Sequence, residues 1–577
     1  MFHAKNHKQQ HIFDPWSYLG PKRREALDLS WAGLFQQKIL PELPVESLRR
    51  HYDDWQGRPT KELYSMMGLM ILQQMHDLTD EQAVEQFCFN IKWHYALNIT
   101  NPEDTASYVS LKTLWTMRDM LSTDGIYDEI FNKTLATLQK IFRVDLKKQR
   151  IDSVHIKSNM RHLGRIRLFA ETIRKFLNNL KRHHRAHFDQ LDKSITGRYL
   201  GKNKEAVFAM VKPTESAHTL NQLAEDVFHL TQKFNGVSGV NDMHSFKQLS
   251  RLFHEQCAVI EATASQEKQA VVKPNKEVPS DSLQNPSDPD AGYSSHKGQG
   301  YQAQVVENYS EESGQLSLIT HIEVESADKH DANSLLPALD ALQQRDMVPD
   351  EMLADSLYGS DSNCEQSRDE YGTEVIAPVM PGNQKKMPLA EFAIDERGKI
   401  TSCPQGVEPE RVNCKKGAYS AAFPFTACCN CPIVEQCPVQ KGKKAYYYRY
   451  KAKDVRIARR RHYEQSTEFK DKYRFRAGVE ATMSEFDRRT GVKHLRVRTM
   501  KAVTFAVIMK AIGLNIFRAG RFIRCKNCSQ APQYGNVMAV LAIFNVVKEQ
   551  TRRHLESIRR KCSKVPAQIF KQPGFVF

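Results

Sequence analysis

Apolar positions over the first 140 residues recur at helical spacing. Leu63, Met66, Met67, Met70 and Leu72 form a stripe near the 3.6-residue period. Thr79-Asp-Glu-Gln82 spells a capping box for the next helix, and Ser110 before Leu111 and Leu114 marks another start. Residues 141–158 change to β-branched and polar alternation, Arg150-Ile-Asp-Ser-Val-His-Ile156, which predicts a strand. Helical periodicity returns from Met160 to about Ala264, with Leu168, Ile173, Phe176, Leu177 and Leu180 on one side, as expected of a helical insertion between a first strand and the rest of its sheet. The polar stretch Lys273 to Asp290 reads as a linker. Strands are predicted at Tyr301–Val306 and Leu316–Val324 with a turn at 311–314, then a helix over 333–344, a strand ending in Asp355, a helix near 360–370 and a strand at 374–377. That order predicts a mixed α/β sheet. Helices follow over 455–490 and 500–521, and the tail offers an amphipathic helix at 538–547 and a basic piece at 552–564.

These changes of pattern divide the chain into an N-terminal helical region (1–140), a first core strand (141–160), the helical insertion (161–272), a linker (273–295), the continued core (296–380), a cysteine-rich insertion (381–450), the core helices that carry Glu480 (451–521) and a basic tail (522–577). At 577 residues several subdomains are expected. The formal net charge of +16 and a pI near 9.1 favour a polyanionic partner over a merely soluble basic protein. Helix, turn and helix in the first region suit a DNA reader and, equally, a small bundle. The most apolar stretch, Ala502 to Phe517, is broken by Lys510, so no membrane span is expected. The N-terminus lacks the apolar centre of a signal peptide, which leads to the expectation of a cytoplasmic protein.

Three acids stand in contexts that acidity alone does not explain. Asp152 shares a pleat face with Val154 and Ile156, where a carboxylate is costly unless paired or metal-bound. Asp355 ends Glu351-Met-Leu-Ala-Asp355 and precedes Tyr358-Gly-Ser360, the address at a strand's end where α/β folds bind ligands. Tyr473, Arg476 and Glu480 recur at i, i+3 and i+7 beside an apolar stripe of Phe475, Val479, Met483 and Phe486. Gathered by folding, the three carboxylates would suit two Mg²⁺ ions about 3.5–4 Å apart, the device for in-line phosphoryl displacement. The competing reading is scattered surface acids and an Arg–Glu surface pair. Of twelve cysteines, five fall between Cys414 and Cys437. Cys403, Cys428, Cys431 and Cys437 meet the ligand count of a Zn²⁺ site, with Cys414 and Cys429 as spares, and with free thiols or an iron–sulfur cluster as alternatives. The run Lys443-Lys-Ala-Tyr-Tyr-Tyr-Arg-Tyr-Lys451 leads into Arg459, Arg460 and Arg461, a composition that tracks a phosphate backbone or edges a solvated strand.

An ordered series of motifs resembles the DDE transposases of bacterial insertion sequences, in particular the IS1182-like group of the IS4-related superfamily. It runs from Trp16-Ser-Tyr-Leu-Gly-Pro21 through Gly57-Arg-Pro-Thr60, Ile71-Leu-Gln-Gln-Met-His-Asp-Leu-Thr-Asp80, Ile151-Asp-Ser-Val-His-Ile156, Ser287-Asp-Pro-Asp-Ala291, Gly300-Tyr-Gln-Ala-Gln304 and Leu353-Ala-Asp-Ser-Leu-Tyr-Gly359 to Arg476-Ala-Gly-Val-Glu480 and Arg488-Arg-Thr-Gly491. The resemblance implies an RNase H-like mixed-sheet catalytic core in which Asp152, Asp355 and Glu480 bind two Mg²⁺ or Mn²⁺ ions. It implies too that Tyr473 and Arg476 lie near the DNA backbone, and that a homodimer cuts double-stranded DNA at terminal inverted repeats and joins the 3′ ends to target DNA. Where the family signature expects a lysine seven residues after the glutamate, this chain has Asp487. Either Arg488 takes over the phosphate contact or catalysis is impaired, which keeps open a non-catalytic DNA-binding descendant; a plain nuclease of the same fold is a further rival.

Overall fold

A computed structural model describes residues 1–9, 14–201, 211–261, 268–380, 382 and 386–528. The stripe at Leu63 is helix α1 (Leu63–Met75), opened by the Glu62 carboxylate, which accepts from the amides of Tyr64 and Ser65. Its residues are buried nearly all round, so it is a core helix with no solvated face of its own. The predicted capping box is present at the start of α2 (Asp80–Phe89), and Ser110 caps α3 (Leu111–Thr123), which is followed by α4 (Ile126–Phe142).

The alternation around Asp152 forms strand β1 (Lys148–Lys157). The chain then leaves the sheet for α5 (Arg165–His183), α6 (Ser216–Phe234) and α7 (His244–Gln256), which close on a core of their own that includes Phe169, Phe176, Phe234 and Phe246. This segment is not wholly helical: it ends in an antiparallel hairpin of Cys257–Glu261 with Lys268–Val272. The stretch expected as a linker is packed, with Leu283 and Asp288 fully buried. Its polar composition misled because Asp288 is satisfied internally, accepting from Tyr301 Oη at 2.5 Å and from the Thr499 amide at 2.9 Å.

The sheet is completed by β2 (Gly292–Ser294), β3 (Gly298–Asn308), β4 (Ile319–Ser326), β5 (Glu351–Leu353) and β6 (Glu374–Ile376), with α8 (Leu335–Gln343) before β5 and α9 (Asp361–Tyr371) after it. Strand order across it is β4, β3, β1, β5, β6, with β2 paired to the start of β3. β1 is antiparallel to β3, with Asp152 opposite Val305 and Arg150 opposite Glu307, and parallel to β5. Antiparallel pairing on one side and parallel pairing on the other make it a mixed sheet, as the order of elements predicts. β3 is buried throughout from Gly300 to Asn308, the expected state of a strand with neighbours on both edges and layers on both faces.

The cysteine-rich segment forms a separate four-stranded antiparallel sheet of residues 411–415, 418–424, 440–441 and 445–451, around Phe392, Phe423, Tyr446 and Tyr450. Beyond it the predicted helix over 455–490 is broken into α10 (Ala452–Gln465), α11 (Thr467–Tyr473), one 3₁₀ turn (Arg474–Arg476) and α12 (Ala477–Thr490). Ser466 makes the first break, its hydroxyl accepting from the Phe469 amide and starting α11 afresh. The last helix is α13 (Met500–Cys528). By length and composition it could cross a membrane, with mean hydropathy 1.6, but 72% of that window is buried inside the structure. Lys510 does not break it: the ammonium is buried against Asp77 at 2.8 Å and the Thr490 carbonyl.

Two compact units are distinguished, Met1–Ala519 and Gly520–Phe577. The second is described only over 520–528, where the Lys526 ammonium lies 4.6 Å from the centre of the Phe522 ring. The helix and basic piece expected at 538–547 and 552–564 lie outside the described residues.

Candidate active site

Asp152 stands at mid-strand on the face of β1 that α12 covers. Its Oδ1 accepts from the Ser153 amide at 2.8 Å, and its Oδ2 meets Arg476 Nη2 at 3.0 Å. The other terminal nitrogen of that guanidinium, Nη1, donates to Glu480 Oε1 at 2.7 Å. Asp355 lies two residues beyond the end of neighbouring β5, in the turn to α9, where Oδ1 accepts from the Leu357 amide at 2.5 Å. Arg476 is therefore the hub of the acids: it bridges Asp152 and Glu480 directly, and Asp355 acts on it through space. Asp152 is largely buried, whereas the Glu480 side chain is 69% exposed.

Burial pushes the Asp152 carboxyl above the usual aspartate range; the Arg476 guanidinium works against that shift, and repulsion from Asp355 and Asp331 adds to it. The site thus carries more negative charge than its one guanidinium cancels. Hard carboxylate oxygens in that state are the donor set that divalent Mg²⁺ or Mn²⁺ takes. Among the described residues, however, no three His, Cys, Asp or Glu side chains sit close enough to share one ion. The interval between Asp152 and Glu480 is filled by Arg476, whose Nε is buried with no acceptor.

Tyr473 does not share one continuous helix with Glu480, because the 3₁₀ turn intervenes. It still lies near the acids: burial raises its phenol, and Asp355 and Asp152 add to the rise against Arg476. Its ring stacks on Phe469 at 5.2 Å. Arg488 is exposed on α12. Asp487, at the position of the expected lysine, accepts from the Lys493 amide at 3.1 Å and so organises the turn after the helix. The arginine run is engaged with backbone. Arg459 Nη2 donates to the Asp395 carbonyl at 3.3 Å, Arg461 Nη2 to the Met380 carbonyl at 3.4 Å, and Arg460 Nη1 and Nη2 to Gly359 and Ala377 carbonyls at 2.8 and 3.1 Å. Arg460 thereby braces the turn that carries Asp355.

The thiols of Cys403, Cys428, Cys431 and Cys437 are near neighbours. Burial, then the charges of Cys437, Cys403, Cys431 and Cys429, pushes Cys428 up to about 11. Cys414 lies elsewhere, on the strand 411–415, opposite Tyr419.

Sequence reasoning missed Asp331. Its Oδ1 accepts from Gln304 Nε2 at 2.9 Å and its Oδ2 from Ser153 Oγ at 3.3 Å, with Lys297 Nζ 3.2 Å from that hydroxyl. Buried Tyr358 donates to Gln304 Oε1 at 2.6 Å. The available signal was the alternation Gln302, Gln304 inside an otherwise apolar strand, since a buried amide needs partners of its own.

Comparison with known families bears on this geometry at two places. Residues 402–519 match the family described as Transposase DDE domain, a span that takes in Tyr473, Arg476 and Glu480 but neither aspartate. Residues 35–120 match Transposase domain (DUF772), the region of α1 to α3. Both matches are thus to transposase families, one in the N-terminal helical region and one in the segment that carries Glu480. No curated protein matches it. The DDE match implies a transposase function, and divalent metal ions are what DDE transposase domains normally use.

Proposed function

We propose that this chain is a DDE transposase that cleaves double-stranded DNA at terminal inverted repeats and transfers the freed 3′ ends to target DNA, working as a homodimer with one protomer at each end. The observation that carries the reading is the convergence of Asp152, Asp355 and Glu480 on one arginine from three separate elements, β1, the turn after β5, and α12. The strand order β4, β3, β1, β5, β6, with its antiparallel and parallel halves, supports an RNase H-like core in which the first aspartate is at mid-sheet and the second at the end of the adjacent parallel strand.

Asp152, Asp355 and Glu480 would hold two Mg²⁺ or Mn²⁺ ions, which when bound supply charge stabilisation at the attacking and leaving oxygens. The chain's own contribution is positioning. Arg476 lets go of Glu480 and Asp152 and takes a DNA phosphate group, whose two non-bridging oxygens make a bidentate partner for one guanidinium. Tyr473 Oη, held neutral by burial, donates to the same backbone. Exposed Arg488 makes the phosphate contact that Asp487 cannot make. Arg460 keeps Asp355 in register rather than touching DNA, and Arg459 and Arg461 flank it. The cysteine thiols 403, 428, 431 and 437 have the donor chemistry of a structural Zn²⁺ site, and would have to draw closer to share one ion, since among the described residues no three sit close enough.

The test is a nicking and strand-transfer assay with Mg²⁺ on duplexes taken from the DNA bordering the gene. Cleavage with joined products, lost in Asp152→Asn, is expected. Binding without cleavage would point to the non-catalytic descendant that Asp487 favours, and cleavage without joined products to a plain nuclease.

A further inference from the structure

Behind the acids lies a buried ionic network that the reaction itself does not use. Glu307 on β3 is completely buried, and each of its oxygens is paired. Arg150, its cross-strand neighbour, reaches Oε1 with Nε at 2.8 Å and Nη2 at 2.7 Å. Arg518 on α13 reaches Oε2 with Nη1 at 2.8 Å. The Thr482 hydroxyl on α12 lies 2.8 Å from both oxygens and accepts from Arg518 Nη2 at 2.7 Å.

Two of the partners, Arg150 and Thr482, stand next to residues of the candidate site. Arg150 precedes Asp152 by two residues and points to the same side of β1. Its Nη1 donates to the carbonyl of Phe475 at 2.5 Å, the residue immediately before Arg476. Thr482 follows Glu480 by two residues. Gly478, between Arg476 and Glu480, is where this packing demands glycine, because a Cβ there would collide with the Arg150 guanidinium. A buried carboxylate with two guanidiniums is seldom a source of net stability, since the desolvation of three charges offsets their attraction; what such a group does supply is a fixed geometry.

We propose that Glu307 is a positioning residue for the DNA-cleaving site: through Arg150 and Thr482 it sets the turn of Arg476 and the helix of Glu480 at a fixed distance from Asp152. This rests on the reading of Asp152, Asp355 and Glu480 as the metal-holding acids. Glu480 is exposed and Arg476 is shared, so neither can set that distance alone. Glu307 itself is completely buried, so it acts by holding β1, β3, α12 and α13 in register.

The test uses the full chain with Mn²⁺ as probe, read by electron paramagnetic resonance of the free ion, and single-turnover nicking of duplexes from the DNA bordering the gene. Wild type and Asp152→Asn come first: if wild type neither binds Mn²⁺ tightly nor nicks, or if Asp152→Asn changes neither, the assignment of the acids fails and the network is only structural. With that assignment standing, Thr482→Val deletes one hydroxyl at constant volume, and Glu307→Gln removes the central charge. Both are expected to lower the nicking constant roughly 10- to 100-fold at saturating DNA, the scale of a misplacement of about an ångström, and to weaken Mn²⁺ binding while DNA affinity stays within about twofold. Thr482→Ser, which restores the hydroxyl, should recover nicking although it packs less well than valine. Folded Thr482→Val that nicks like wild type overturns the proposal, as does equal impairment of the serine and valine variants. If Glu307→Gln does not fold, the Thr482 pair decides alone.

Discussion

On the proposed reading, Asp152 is a residue costly to the metal-free protein and valuable to its activity. Its carboxyl is held above the ordinary range by burial and by Asp355 and Asp331, against the pull of Arg476. For an acid whose folded-state value is raised, the unfolded chain ionises first, so stability falls as pH climbs from the unfolded value of 3.8 through the folded one and stays lower above it. Asp152→Asn should therefore raise the denaturant midpoint of the metal-free protein at pH 7 while it abolishes nicking, the familiar opposition of stability and function. A midpoint lowered at pH 7 would show that the Arg476 pairing outweighs burial. Arg476 gives the complementary case. Arg476→Gln removes the cation between Asp152 and Glu480, so Mn²⁺ affinity without DNA should rise about tenfold, one kind of charge competing with the other, while nicking falls at least tenfold for want of a phosphate partner. Titrations of Mn²⁺ and DNA separately check the two halves. Of these residues the sequence makes Asp152, Asp355, Arg476 and Glu480 visible through motif context. It does not show that Arg476 bridges two of the acids, because that depends on the 3₁₀ turn at 474–476, which no periodicity marks.

At the scale of elements, helix α12 is held at both ends. Its start meets Arg150 at Gly478, and its last carbonyl, that of Thr490, accepts from the buried Lys510 ammonium of α13. Lys510 pairs in turn with Asp77 in the turn between α1 and α2, and Asp77 also accepts from Arg496 Nη1 and Nη2 at 2.8 and 3.1 Å. Gly491 ends α12 in the left-handed region at φ +64°, and a side chain there would come within 2.7 Å of Asp77 Oδ2. Removing Asp77 leaves a buried ammonium with only a carbonyl, whereas removing Lys510 leaves Asp77 partly exposed and still paired with Arg496. Asp77→Asn, which keeps the left-handed backbone that Asp77 adopts at φ +52°, should cost about 3 kcal/mol, and Lys510→Met less. Urea midpoints of the two variants check the order, and the reverse order would mean that the lysine chiefly serves as a helix C-cap. Five of the six strands of the sheet were legible because alternation and turn residues are local signals; the short β2, inside the stretch read as a linker, was not. Nor was the packed segment around Asp288, since that carboxylate is satisfied by Tyr301, Ser158 and Thr499, partners outside the segment.

At the scale of the molecule, the DUF772-matched region packs against the DDE-matched one through contacts that the sequence alone could not reveal. His76 ends α1 among the rings of Trp31 at 5.3 Å, Trp93 at 5.8 Å and Phe517 of α13 at 5.2 Å, and its Nε2 has no partner. Burial, with a smaller push from Lys92, lowers its imidazole to about 4. On the far side of the sheet from Asp152, His155 is likewise lowered to about 4 by burial, then by Lys297 and Lys157, and both its nitrogens are without partners. A base whose folded-state value is depressed stays neutral in the native protein while the unfolded chain takes up a proton below 6.5. Stability contributed by the two neutral imidazoles is present in full above pH 6.5, declines as pH falls toward about 4, and changes no further below it. The wild-type urea midpoint should therefore drop between pH 7 and pH 5, and His76→Phe should flatten that drop, because a phenyl ring fills the same aromatic cage without a titrating group. Since the cage joins α1 to α13, loss at His76 should release the N-terminal helices from the core together with α13's apolar face. Amide exchange at pH 5 would register this as coupled opening of residues 63–75 and 503–517; opening of either segment alone would mean that the two regions are held together elsewhere.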